Sequence, residues 1–470
     1  MELHNIISTP LASDPSGSTP ANILVVGYGI SGKSVTAFLE LKGHNVCVYD
    51  DDKTLNIPNR VSDDIDWSQI DLVIKSPSVH IMPHNRHPII DLAMLNGKLI
   101  YSTFDVFSVY NPDAKIIGIT GTNGKSTTAA LVYHILKTSG VPVVLGGNIG
   151  IPYFELSLSK NLPSNNLDVE NNKKLEPDQY YVFEISSYEL TSSKLLRFDT
   201  ACILNIEPDH LDFHGSFENY INAKHKILAH AKHKIISCDD PYTIEQYKNH
   251  TQGQADVSTV SLSPNIFAQY YIENHLMIAN GTVALDISNL SNLLGNHNAQ
   301  NLMFAYAICD NLGIPQERIV HGIKTFEPLP HRMNMVRKIG DVLFVNDSKA
   351  TNPPATAPAL STFTGYKIFW LVGGRSKNVD PIPYIGKYLG SVEKIYLFGE
   401  AMNEFYNIFH NIKPVELCQT LSVAVHRAYS DAKNEIGATV ILLSPMCSSF
   451  DQFTSFEHRG KVFVNLVNGL

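Results

Sequence analysis

A three-domain α/β protein is predicted by three observations. Short apolar runs alternate with helix-like stretches in three successive blocks, two glycine-rich loops each lie between an apolar run and a helix, and 470 residues is about three times the ~150 residues of a common domain.

The first block, residues 1–103, holds "NILVV", then "SVTAFLELK" ending at Gly43, then "NVCVY" and "IDLVIKSP". Strands in that alternation form a parallel sheet with crossover helices. Gly27, Gly29 and Gly32 make a full GxGxxG after the first strand, and Asp50 follows the second. On residues alone this is a dinucleotide site in a Rossmann-like fold. The second block, 104–328, opens on "KIIGIT", passes through "GTNGKSTT" at 121–128 into "TTAALVYHILK", and reaches Gly140, a suitable C-cap. "VPVVL", "YYVFEI" and "TACILNI" supply further strands. The third block, 329–470, follows Pro328 and Pro330, which read as a linker, and contains "DVLFVND", "KIFWLVGG", "KIYLFG" and "TVILLSP". Residues 156–179 are rich in Asn, Ser and Lys and read as a surface loop.

Lys and Arg number 36 against 45 Asp and Glu, a net charge of −9, and no basic block is present. Nothing here would neutralise a phosphate backbone or a lipid surface, and nucleic acid is not expected as a partner. Six scattered cysteines without a CxxC pair read as reduced thiols rather than a zinc site. The first twenty residues lack a basic segment followed by an apolar one, and no apolar run approaches the ~18 residues of a membrane span. A cytosolic monomer without membrane insertion is expected.

"GITGTNGKSTT" follows a strand and opens a helix, the setting in which backbone N–H groups and a helix N-terminus surround phosphate oxygens. Gly121, Thr122, Asn123 and Gly124 would form the cradle, Lys125 would reach the outer phosphates, and Ser126 or Thr127 would give a hydroxyl to Mg²⁺. The strict GxxxxGK[ST] pattern fails, because Ile119 stands where its first Gly belongs and Gly118 lies one position early.

"GTNGKSTT" resembles the nucleotide loop of the Mur ligases, ATP-dependent enzymes of peptidoglycan precursor synthesis. The resemblance continues in family order through "GNIG", "FEISSYEL", "NIEPDHLDFHGSFENYINAK", "GNHNAQN", "PHRM", "NDSKATNP" and "LVGGRSKN". The ending "LLSPMCSSFDQFTSFEHRG" is similar to the branch that adds D-glutamate. This resemblance implies a Rossmann-like N-terminal domain for the UDP end of the precursor, a central P-loop-type ATPase domain, and a Rossmann-like C-terminal domain for the amino acid.

It further implies UDP-N-acetylmuramoyl-L-alanine and D-glutamate as substrates, joined with ATP through an acyl phosphate. Ile30, Ser31, Asp50 and Asn148 would contact the precursor. Glu184 and His210, at predicted strand ends, would hold Mg²⁺ with Ser126, two ions being expected. Read alone, Lys224 in "NAKHKILAHAKHK" belongs to a solvated basic helix face; the resemblance implies instead a carbamylated lysine that ligates metal. Asn298 and Asn301 would lie near adenine and its sugar, and Arg332 and Asp347 would contact ATP from the third domain. Lys349, Thr351, Lys377, Ser449 and Phe456 would form the D-glutamate pocket. A folylpolyglutamate synthase shares the ATPase core, but the first domain and the ending argue against it. A non-catalytic nucleotide sensor would explain both glycine loops and not the third-domain motifs.

His80, His84 and His87 lie close in sequence, but Pro83 and Pro88 break the helix that would align them on a metal. His225, His230 and His233 read as helix surface. Ser78, commonly Gly in the family resembled, is expected to tighten a precursor-binding turn, and Glu189, commonly Gln, to alter a sugar contact.

Overall fold

In a computed structural model of the protein, the described residues are 2–7, 20–148, 152–154, 178–246, 256–288, 290, 296–377 and 379–470. The chain divides into two compact units, Met1–Asp286 with Gln300–Ile323, and Ile287–Ala299 with Lys324–Leu470.

The first unit carries two sheets. One is parallel in the order β2-β1-β3-β4, with β1 Asn22–Val26, β2 Asn45–Tyr49, β3 Leu72–Lys75 and β4 Leu99–Ser102. Its strands are buried on both faces, as near-continuous Val/Ile/Leu runs require when helices cover a parallel sheet. The helix Ile30–Leu41 buries Val35, Phe38 and Leu39, spaced for one helical face, and stops where Gly43 turns left-handed at φ +87°.

The second sheet has nine strands: β5 Lys115–Thr120, β6 Val143–Gly147, β7 Tyr180–Glu184, β8 Phe198–Ile203, β9 Ala231–Ser237, β10 Val257–Ser261, β11 Tyr270–Glu273, β12 Leu276–Ala279 and β13 Thr282–Asp286. It runs β6-β7-β5-β8-β9-β10-β11 in parallel and ends in the antiparallel pairs β11/β12 and β12/β13. The division expected at 103 falls inside this unit. One apolar core joins Ile23, Val25 and Ile74 of the first sheet to Phe104, Phe107, Phe183 and Phe198 of the second.

The second unit holds a six-stranded sheet, β14-β15-β19-β16-β17-β18, comprising β14 Asn334–Ile339, β15 Val342–Asn346, β16 Lys367–Gly373, β17 Val392–Phe398, β18 Val415–Gln419 and β19 Thr439–Leu443. Only β14 is antiparallel to its neighbour. Cores on both faces, one around Trp370 and Leu397 and one around Phe369 and Phe463, explain why these strands read as unbroken apolar runs.

All six cysteines are free thiols. Among the described residues no helix is long and apolar enough to cross a membrane. The surface loop expected at 156–179 lies, apart from its last two residues, outside the described residues.

Candidate active site

Open parallel sheets bind ligands beyond the carboxyl ends of their strands, where the strand order reverses. In the nine-stranded sheet β5 sits between β7 and β8, and the segments leaving these three neighbours bring most of the expected central residues to one edge. The loop after β5 runs Gly121–Gly124 and feeds the helix Lys125–Thr138, whose first turn buries Ser126 and Thr127. Gly124 takes φ +84°, and a Cβ on it would stand 2.2 Å from Asn301 Oδ1. Glycine is thus required twice over, by torsion and by space.

The loop is braced from the segment after β8. Asn123 N–H donates to Asn205 Oδ1 at 2.8 Å, and its side-chain amide donates to Glu207 Oε2 at 3.1 Å. Thr122 Oγ1 accepts from Glu207 N–H at 2.9 Å and lies 2.9 Å from Tyr220 OH. Asn205, Glu207 and Tyr220 stood inside the quoted motifs without an assigned role; the signal was their place after an apolar run, opposite a phosphate loop. Lys125 Nζ donates back to the carbonyls of Gly121 and Thr122 at 2.9 and 2.8 Å.

Glu184 ends β7, buried to 3% exposure. Its Oε1 accepts from the Asn148 amide at 3.2 Å, whereas Oε2 is buried with no hydrogen-bond partner. A buried, unsatisfied carboxylate oxygen is costly, and a cation ligand would resolve it. Lys224 corrects the reading of its segment as a solvated face: it is 1% exposed, donates to Gly121 O at 2.7 Å, and lies 4.7 Å from the Tyr220 ring centroid. Burial, with Lys125 close by, pushes its ammonium well below the usual lysine range. The helix Phe217–Ala229 points this residue inward with Tyr220, Ile227 and Leu228, a face that a run of Lys and His conceals.

His210 is not at a strand end. It follows β8 by seven residues, takes φ +53° and pairs its Nδ1 with Tyr188 OH at 2.8 Å, with Asp209 3.5 Å from Nε2. His233 lies on β9, not on a helix, because the helix ends at Ala229 and "AKHKIIS" pairs with β8 and β10. Among the described residues no group of three or more His, Cys, Asp and Glu side chains is placed to hold a metal. Of His80, His84 and His87, the last caps the helix Pro88–Leu95 through Nδ1 and meets Asp51 Oδ2 at 2.9 Å through Nε2.

In the first sheet the GxGxxG loop follows β1, between β2 and β3, again where the order reverses. Asp50 does not point away from its own backbone: its two oxygens accept from Tyr28 N–H at 2.5 Å and Asp52 N–H at 2.9 Å, clamping the glycine turn. Ile30 is 76% exposed beside Ser31 at the mouth of that turn. Glu189 is a buried joint between the sheets. Its carboxylate accepts from Phe104 N–H at 3.1 Å and is raised by burial, while Lys75 donates to Ser192 Oγ at 2.6 Å and is lowered by burial to about 8.

In the second unit the segments after the adjacent strands β15, β19 and β16 carry Asp347, Lys349 and Thr351, then Ser449, then Lys377. Lys349 Nζ stands 3.8 Å from the Phe456 ring centroid, so two residues named separately from sequence meet as a cation over an aromatic face. Asp347 accepts from Ser444 Oγ at 2.8 Å and Met333 N–H at 3.3 Å, and burial pushes its carboxyl up to about 7. Arg332 lies near enough to act on that carboxyl electrostatically. Asn298 and Asn301 lie on the helix Asn296–Asn311; Asn301 accepts from Thr128 Oγ1 at 3.3 Å, and Asn298 belongs to the segment that packs with the second unit.

Two family models match this chain: the Mur ligase middle domain over residues 119–309 and the Mur ligase glutamate ligase domain over 331–447. The UDP-N-acetylmuramoylalanine–D-glutamate ligase of Rhizobium etli is 36% identical over 464 residues, 95% of each chain. That of Brucella abortus is 36% identical over 468 residues, 95% of this chain and 96% of its own. Among solved structures, the UDP-N-acetylmuramate–alanine ligase of Thermotoga maritima superposes with a TM-score of 0.59 at 19% identity, over 95% of this chain and 99% of its own. The MurF ligase of the same organism, in complex with ADP, gives 0.56 at 16% identity, over 99% of both chains. At those identities the structural likeness establishes the fold.

Proposed function

Because the chain belongs to the Mur ligase family, we propose that it uses ATP to join D-glutamate to UDP-N-acetylmuramoyl-L-alanine in peptidoglycan precursor synthesis, as a monomer in the cytoplasm. The observation that carries this reading is the Gly121–Gly124 loop flanked by a buried carboxylate, Glu184, and a buried amine, Lys224. Near full-length relatives bearing the D-glutamate ligase name support it.

A carboxylate in water has no leaving group, so the γ-phosphoryl group is first transferred to an oxygen of the L-alanyl carboxylate. The amine of D-glutamate then attacks the acyl phosphate and phosphate departs. The protein's part in the first step is to align and neutralise oxygens. The N–H groups of Gly121–Lys125 and the start of the helix Lys125–Thr138 cradle phosphates, with Lys125 turned outward from its own loop carbonyls. Mg²⁺, two ions in our reading, would supply further charge neutralisation when bound; Ser126, Glu184 and His210 would hold it, and Glu184 Oε2 has an acceptor to give.

Lys224 completes that set only if its amine is carbamylated. Its depressed pKa favours the neutral amine that reacts with CO₂, and conversion to an anion removes the conflict with Lys125. Mass spectrometry under ¹³CO₂ should find the added carboxyl on Lys224, and Lys224→Ala should lose activity; absence of both effects rejects the modification.

In the first domain, Ile30, Ser31 and the turn clamped by Asp50 take the UDP handle, with Asn148 nearer the reacting end. Binding energy from so remote a handle can orient the carboxylate, worth up to about 7 to 11 kcal/mol of barrier. Arg332 and Asp347 contact ATP, as do Asn298 and Asn301. Lys349, Thr351, Lys377 and Ser449 meet the two carboxylates of D-glutamate against Phe456. Phosphate release, measured with each substrate omitted in turn, should require ATP, the UDP precursor and D-glutamate together. Release that persists without D-glutamate, or that needs a folate, rejects the proposal.

A further inference from the structure

Arg459 is the fourth residue of the helix Phe456–Asn468 and is fully buried. No ion pair joins it to a carboxylate among the described residues. All five N–H donors of its guanidinium nevertheless end on acceptors. Nε meets Ser348 Oγ at 3.0 Å, Nη1 meets the carbonyls of Gly373 and Ser448 at 3.2 and 3.4 Å, and Nη2 meets those of Ser348 and Cys447 at 2.8 and 3.0 Å. These acceptors lie just beyond β15, at the end of β16, and just beyond β19, the three adjacent strands whose following segments carry Lys349, Thr351, Lys377 and Ser449.

The arrangement is a poor way to gain stability: Asp347 and Asp451 act on the charge only from a distance, every direct contact is a carbonyl or a hydroxyl, and an apolar side chain of similar volume would often do as well. What a planar fork with five fixed donors supplies is geometry. Ser348 Oγ links the fork onward: it accepts from Nε and donates to Phe456 O at 2.9 Å, and the Phe456 ring is the one under Lys349. The next residue, Gly460, lets the helix start sit close: a Cβ there would stand 2.3 Å from His331 Nδ1.

We infer that Arg459 is a positioning residue for the amino-acid subsite, tying three loops in one register and so setting the spacing of the cationic and hydroxyl groups that receive a dicarboxylic amino acid. The inference rests on the reading of the second unit as the D-glutamate domain. Lysine, with three donors on a single point, cannot span three loops.

The test compares wild type, Arg459→Lys and Arg459→Ala in the full-length enzyme. For Arg459→Lys the KM for D-glutamate should rise about tenfold or more, with the KM values for ATP and the UDP precursor within about threefold of wild type. Guanidinium chloride at ~20 mM should lower the D-glutamate KM of Arg459→Ala, and urea at the same concentration should not. Should Arg459→Ala fail to fold, the KM pattern of Arg459→Lys decides. An unchanged D-glutamate KM overturns the inference, as does an equal shift in all three KM values with a lowered Tm, the signature of a purely structural role. A wild-type enzyme without D-glutamate-dependent phosphate release removes the underlying reading instead, and that result is visible before any variant is made.

Discussion

The two glycine-rich loops of the first unit share a design, strand to turn to helix at a reversal of strand order, and differ in what fills them. In the GxGxxG turn the glycines have separate duties. A Cβ on Gly32 would lie 1.9 Å from Gly27 O, so that glycine lets the helix pack on the turn, whereas a Cβ on Gly29 would meet nothing within 4 Å. The mouth is open, rimmed by Ile30, and the clamp beneath it is the acidic Asp50. The phosphate loop is occupied by its own side chains: Lys125 on two loop carbonyls, Asn123 held by Asn205 and Glu207, Gly124 against Asn301. A glycine signature therefore reports how closely backbone can be approached, and the neighbouring charges report by what.

Three substitutions would break or sharpen that contrast. Lys125→Ala should lower turnover on the order of 10³-fold, about 4 kcal/mol, because a charge that meets the transferring phosphoryl group is gone; steady-state phosphate release at saturating substrates measures it. An unchanged rate would mean that the two loops do not divide handle from chemistry. Gly32→Ala should cost about 3 kcal/mol of folding stability, since the clash is with backbone that cannot step aside; urea unfolding should register it as a lower midpoint at constant slope. Gly29→Ala should leave stability within about 0.5 kcal/mol and raise only the KM for the UDP precursor. Equal destabilisation by Gly29→Ala and Gly32→Ala would erase the distinction between packing and ligand-facing glycines.

Much of this was legible in the sequence because the signals were local. Parallel strands buried on both faces leave uninterrupted Val/Ile/Leu runs, and phosphate loops advertise themselves by glycine, lysine and hydroxyl spacing. The strands from Ala231 to Asp286 were harder: β9, β11 and β13 are partly exposed, and polar residues such as Lys232, Lys234, Ser258 and Thr259 interrupt the apolar runs even where, as in β10, the strand is buried. The burial of Lys224 was not legible in its basic run, because such a run says nothing about which turn of the helix faces inward; only the family resemblance pointed to the site. Glu189 was misplaced because its partners, Phe104 and Lys75, are 85 and 114 residues away in sequence, a tertiary fact. Arg459 sat within a quoted motif without a role, since its acceptors are mostly carbonyls, which carry no residue identity.

The resting position of Lys125 has a consequence for selectivity. Its ammonium is already engaged by Gly121 and Thr122, so an arriving nucleotide gains no unpaired cation and must displace two backbone oxygens in a swap of partners. A lone inorganic anion offers little incentive for that swap, while a chain of three phosphates can make it by engaging the loop's amides along its length. In the proposed reaction the same two carbonyls stand ready to take the lysine back once the terminal phosphate has been transferred.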